Sequence, residues 1–437
     1  MRKFRTIALL LALPIVVPAT SASANEPKIV TELSPASTFD MRVEQLVPVL
    51  NGEMAPESFF ASSFLAAVPP AQIKAISDSF VKQHGKALSV SAVQRNGPNN
   101  ATLQVEYEKA TATIEITTEA LPPFKVAGLL AKGFAVKGDS IEKIEADFRA
   151  LHGSSGFIVQ KLTDAGAVTQ HALNPDKQFA TGSTFKLYVL AELASQVASG
   201  QRRWSDVVPL GVRNHSSPGT QNWPLDTPVT LQTLATWMIS VSDNAATDAL
   251  MRELGRDAVE GKMASIGHSA PDKALPMLTT VEAFALKSNP TLRQRFEKAT
   301  EAGQRELLAS ERAALSYGAI DMARFGSGPV AIESVEWFAS PEDTALLLNN
   351  LRRINSQTAR DVMAVNSGIG QAAAAKWRYL GYKGGSEPGV ISMSFLAQSK
   401  AGEWYAISGS WNDPAKDVDN TAFVQLMTRL VDNVAGN

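Results

Sequence analysis

The sequence predicts two folded parts. A small α+β domain spans residues 25–135, and an α/β sandwich spans 136–437, with one antiparallel sheet carrying helices on both faces. Three observations predict it. Helix-like runs followed by four β-rich runs fill the first part. Strand-like runs stand at both ends of the second part, with helical stretches between them. A segment from Leu187 to Val197 is apolar nearly all the way round, and such a helix needs neighbours on every side.

The elements follow in order. Residues 1–24 read as an export signal: Arg2, Lys3 and Arg5, then the apolar run Ile7 to Val17, then Ala22-Ser23-Ala24 as a small-residue cleavage site. The run is short for a membrane span, so the expectation is a secreted or periplasmic protein with no span after cleavage. Ser58 to Val68 and Ala71 to His84 read as two helices split by Pro69-Pro70. Ala87–Val93, Ala101–Tyr107, Thr111–Thr117 and Pro123–Leu129 read as strands, the first two separated by the turn cluster Asn96 to Asn100.

In the second part Ser140 to Leu151 reads as a helix, and Gly156–Thr163 and Ala167–His171 as strands. Thr230–Ser240 is periodic through Leu231, Leu234 and Met238. A further helix carries Thr247, Leu250, Met251 and Leu254 on one face, with Gly255 past its end. Thr279 to about Ser340 reads as helical and charged, and Pro341-Glu342-Asp343 opens another helix. Val390–Ala397 and Trp404–Trp411 form a hairpin, and Phe423–Val434 a closing helix.

Composition removes several functions. There is no cysteine, hence no disulfide and no thiolate catalysis. The five histidines form no close pair, and no phosphate-binding glycine loop occurs, so no metal or cofactor is expected. A net charge of -2 points away from nucleic acid. The expected partner is a small-molecule substrate, and the expected state a monomer.

Ser183-Thr184-Phe185-Lys186 opens the apolar helix. Residues three apart share a helix face, so the hydroxyl and the amine are neighbours. A helix start favours developing negative charge, and a lysine among apolar residues is less costly when deprotonated. Those are conditions for an activated nucleophile. Ser242-Asp243-Asn244 is a polar tripeptide between two apolar helices, and all three residue types are good helix caps. Lys383-Gly384-Gly385-Ser386 leads into the final hairpin.

In this order the three motifs resemble the class A β-lactamase and penicillin-binding fold family, across about residues 136–437. The domain order also resembles a two-domain serine-hydrolase subgroup related to a clavulanic-acid-pathway esterase, whose first domain is steroid-isomerase- or cystatin-like. The resemblance implies an acyl-enzyme on Ser183 with Lys186 as base. It implies Ser242 as proton shuttle, Lys383 as positive charge, and Asn244, Gly385 and Ser386 as substrate contacts. A β-lactam is the expected substrate. An esterase or D,D-peptidase, or a binding protein without turnover, stands as the alternative. Two departures accompany this. Gly384 stands where the family has threonine, and the family's E-x-x-L-N segment has no clear counterpart. Glu282 is the nearest candidate for the deacylation base, against its plain reading as a first-turn acid complementing the helix dipole.

Overall fold

The structure is a computed structural model that describes residues 35–326 and 328–436. The export segment expected at residues 1–24 lies outside them. Among the described residues no helix is long and apolar enough to cross a membrane.

The described residues open with a helix, Pro35–Leu50, that the sequence reading did not anticipate. The expected helix over Ser58 to Val68 is broken into Pro56–Phe59 and Ser62–Ala67. The break has a cause: Ala61 N donates to Val126 O at 2.8 Å, so the chain bridges to a strand there. After the helix Pro70–His84 come strands β1 (Ala87–Gly97), β2 (Asn100–Tyr107), β3 (Ala110–Thr118) and β4 (Val126–Val136), in that order in one antiparallel sheet. Strands β2 and β3 alternate strictly between buried and half-buried or exposed positions, the period-2 pattern of a sheet with one covered face. Phe39, Leu46, Phe59, Leu103, Tyr107 and Ile114 close its core.

The second part holds a five-stranded antiparallel sheet. β5 (Ser154–Thr163) and β6 (Gly166–Leu173) come first in sequence, and β7 (Phe179–Ala180) leads out of them. A small hairpin, β8 (Val207–Pro209) with β9 (Pro228–Thr230), and β10 (Phe338–Ala339), which pairs with β7, lie outside the main sheet. β11 (Tyr379–Glu387), β12 (Val390–Gln398) and β13 (Trp404–Asn412) complete it, in the order β11-β12-β13-β5-β6. Alternation sends Phe157, Val159, Phe395 and Ile407 to one face, under the helices Ile141–Ala150 and Asn420–Gly436. Ile158, Leu396 and Ala406 face the other way, into a larger core with the helices Lys186–Ala198, Leu231–Ser240, Asn244–Leu254 and Pro341–Arg353. The expected sandwich, with helices on both faces of one antiparallel sheet, is the observed one.

The stretch expected to be helical throughout Thr279 to Ser340 is so only in part. Helices Thr280–Ser288, Pro290–Lys298 and Glu301–Ser310 give way to two short 3-10 turns and irregular chain up to β10. Glycines and Pro329 punctuate that second half, and both residue types weaken helices. Between the two parts lies a cavity of about 1090 Å³, whose walls include His84 and Phe134 on one side and Leu426 and Arg429 on the other.

Candidate active site

Ser183 sits in a 3-10 turn, Gly182–Phe185, that runs directly into the helix Lys186–Ala198. The turn is pinned to the sheet. Ser392 of β12 donates to Thr181 O at 2.7 Å and shares a 2.6 Å hydrogen bond with the Thr184 hydroxyl. β11 runs alongside, and a Cβ on Gly385 would collide with Ser183 N and Thr181 O. Glycine at 385 therefore lets the strand lie against the Ser183 turn. A Cβ on Gly182, itself at φ 49°, would stand 3.2 Å from Ser386 N. The amides of Ser183 and Ser386 thus flank one small space.

Lys186 is fully buried. Its ammonium nitrogen donates to Ser242 O at 2.7 Å, to the Ser242 hydroxyl at 3.2 Å and to Asn244 Oδ1 at 2.6 Å. Burial lowers its pKa to about 7, against the opposing pull of Asp248 and Asp243. Lys383 comes from β11 and donates to the Ser242 hydroxyl at 3.0 Å. Its pKa also lies well below the ordinary value, first through burial and then through the charge of Lys186. One hydroxyl thus joins two lysines. No hydrogen bond among the described residues engages the Ser183 hydroxyl, and the residue is half-buried, open to an incoming group.

The middle motif is held in an uncommon conformation. Ser242 has φ 60°, the left-handed region that a residue with a side chain rarely adopts. Asp243 over-determines it. Its carboxylate caps the helix Asn244–Leu254 through Ala246 N at 2.8 Å. It also accepts from Gly219 N at 3.0 Å, Thr220 N at 2.9 Å and the Thr220 hydroxyl at 2.8 Å. The cap reading and the site reading of this tripeptide are both satisfied, by different residues. Asn244 is oriented by a bond from its amide nitrogen to His215 O at 3.0 Å, with Tyr317 stacked on the His215 ring at 4.5 Å.

The structure brings together Ser183, Lys186, Ser242, Asn244, Lys383, Gly385 and Ser386. Glu282 does not join them. It closes a capping box with Thr279, accepting from Thr279 N at 2.8 Å, and takes both its oxygens to Arg256 at 2.6 and 2.8 Å. The plain reading as a helix-start acid describes its geometry. The residue bonded to Asn244 from this segment is Thr280, whose hydroxyl lies 3.4 Å from Asn244 O and 2.8 Å from buried Asp248. Burial raises Asp248 to about 6, against hydrogen bonds from Thr280, Val281 and Asn214.

Sequence reasoning missed Asp248, Asn214, Ser392 and a largely buried cluster of Lys287, Glu336 and Glu387 beside the Ser183 turn. Asp248 carried a signal, since it lies four residues after Asn244 on one helix face. The others are joined only by the tertiary fold.

A turn-borne serine with a buried lysine one helical turn on, a second serine between two lysines, and a glycine strand edge beside it define a serine hydrolase of the β-lactamase type. The chain belongs to the Beta-lactamase enzyme family, whose model matches residues 139–365, more than half of its length. That match takes in the first two motifs and ends before Lys383. Among solved structures, the chain is similar to a β-lactamase from Sphaerobacter thermophilus DSM 20745, at 20% identity and TM-score 0.45, over 68% of this chain and 94% of that one. It is similar to a β-lactamase from Chitinophaga pinensis DSM 2588, at 16% identity and TM-score 0.45, over 68% and 98%. It is also similar to PBP-A, at 15% identity and TM-score 0.43, over 67% and 94%. No curated protein sequence matches the chain.

Proposed function

We propose that this chain is an exported hydrolase that acylates Ser183, with a β-lactam as favoured substrate. The observation that carries the reading is the chain of hydrogen bonds from Lys186 through the Ser242 hydroxyl to Lys383, set one helical turn from Ser183. With a pKa of about 7, Lys186 is unprotonated in a large fraction of molecules near neutral pH. It then takes the Ser183 proton as the oxygen attacks the carbonyl carbon. The amides of Ser183 and Ser386 receive the oxyanion. Ser242 passes a proton to the departing nitrogen, resupplied from a lysine on either side. Lys383 and the Ser386 hydroxyl receive a substrate carboxylate. Export rests on the first 24 residues, and a periplasmic or secreted location follows from it.

One observation favours a second reading, an esterase with the same acylation chemistry. The segment that approaches Asn244 presents Thr280, and Glu282 is tied to Arg256. The glutamate expected to activate water on a bulky acyl group is thus engaged elsewhere, so small esters turn over better than penicillins. Intact-mass measurement decides between the readings. The protein is mixed with penicillin or with a chromogenic ester, beside Ser183→Ala. A persistent penicilloyl adduct absent from the alanine variant is expected, and no adduct with either compound sinks the acyl-enzyme reading.

A further inference from the structure

Beside the Ser183 turn, three ionisable side chains share a largely buried site. Lys287, from the helix Thr280–Ser288, donates to Glu336 Oε1 at 2.6 Å and to Glu387 Oε1. Its side chain is 2% exposed and that of Glu336 1%, while Glu387 keeps 19%. Glu336 Oε2 accepts from Gly182 N, the residue before the nucleophile, at 3.2 Å, and from Trp337 N at 3.2 Å. Glu387 ends β11 and directly follows Ser386. The cluster therefore grips both backbone segments whose amides flank the oxyanion space.

Its charges do not balance. Two carboxylates meet one ammonium. No other cation among the described residues forms an ion pair with either glutamate, and Arg293 is turned to Lys287 O at 3.0 Å and to Glu297 at 3.7 Å. With both acids ionised, the cluster carries a net negative charge in a buried place, beside the point where an oxyanion forms. Such a charge opposes the one that develops in the reaction. Lys186 and Lys383 are hydrogen-bonded to Ser242 and not to these glutamates.

We propose that Glu387 is a positioning residue that works in its protonated form, bridging to Glu336 so that the cluster is neutral and holds the amides of Ser183 and Ser386 in register. Loss of that proton makes the cluster anionic and slows acylation. This rests on the acyl-enzyme reading of Ser183. Consistent with the geometry, burial and then the neighbouring Glu336 hold the Glu387 carboxyl well above the usual carboxylate range, against the pull of Lys287. Lys287, by contrast, stays above its ordinary value despite burial, because both glutamates favour its charge.

The test compares wild type with Glu387→Gln in two measurements between pH ~5 and ~9, a range above the ordinary glutamate pKa of ~4.3. The first is thermal melting. The folded state holds a proton that the unfolded chain has lost, so wild type loses stability relative to the glutamine variant as pH rises towards the folded-state pKa. The second is the rate of fluorophosphonate labelling at Ser183. The ratio of variant to wild-type rate rises with pH by about tenfold, the size expected of one buried charge acting across the turn. A ratio removes the titrations of Lys186 and Lys383, which both proteins share. Glu336→Gln is the second variant. It leaves one carboxylate for one ammonium, so its ratio climbs with pH in the same way, which a merely structural role would not produce.

A flat difference in melting temperature overturns the inference, and so does a labelling ratio that does not change with pH. Absent labelling of wild type with an intact melting difference would sink the acyl-enzyme reading instead and leave the protonated carboxyl standing.

Discussion

At the scale of single residues the site is a matter of where protons sit. Lys186 titrates near 7 because burial outweighs two nearby aspartates. On the proposed mechanism the acylation rate should climb as pH rises through that region, the base form being the active one, and fall only where the Glu387 proton is lost. Lys186→Ala should cut acylation by a hundredfold or more, the usual loss for a general base. Lys186→Arg should not restore it, since a guanidinium keeps its proton. Stopped-flow labelling with a chromogenic cephalosporin checks both, and near-normal rates in the arginine variant would exclude proton abstraction by this residue. Glu282 makes a contrasting case. Glu282→Gln breaks its charged bonds to Arg256, at about 2 kcal/mol of stability, and should leave the decay of the acyl adduct unchanged. A selective loss of deacylation with an unaltered melting point would return Glu282 to the chemistry.

At the scale of elements the decisive contact is strand against turn. β11 lies so close to the Gly182–Phe185 turn that residue 385 has no room for a side chain. Gly385→Val should push the strand edge away from Ser183 N and misplace one oxyanion donor. The expected loss is on the order of a hundredfold or more in acylation, with the bulk of the fold retained by circular dichroism. Full activity in that variant would show that this edge does not set the geometry. Such contacts explain what the sequence disclosed and what it hid. Strict alternation in Ala101–Tyr107, and the all-round apolar helix after Lys186, were legible because each is a local consequence of what the element buries. The three motifs were legible because each packs its chemistry into three or four consecutive residues. Lys287, Glu336 and Glu387 were not, because nothing in their own neighbourhoods distinguishes them from surface charges. Only the fold brings them together. The helix Pro35–Leu50 was missed for a different reason, since Pro48 inside it argues against a helix on local grounds.

At the scale of the whole molecule, the two parts meet around a cavity, and Arg429 stands at the joint. From the C-terminal helix it holds Asp139, just after β4, at 2.7 and 2.8 Å, and Asp147 at 2.6 Å. Arg429→Met should free the connecting chain near Asp139. Limited proteolysis would then cut between the two parts faster than in wild type, while Ser183 labelling stays the same. Equal cleavage rates would mean that the cavity walls hold without this ion pair.

The sheet order has a consequence for how the molecule comes into being. β5, near the start of its domain, pairs with β13 from Ser154 to Leu162, so that Val159 faces Ile407. Its other neighbour, β6, gives it only a hairpin. The centre of the sheet is thus assembled from the two ends of the domain, across every helix of the active site. Contacts so distant in sequence form slowly, because the loop between them must be ordered first. Until β13 emerges from the ribosome, β5 has no central partner, and the Lys186 helix has only the β5–β6 hairpin to lie on. The Ser183 turn is therefore completed late, although its serine is made long before β13.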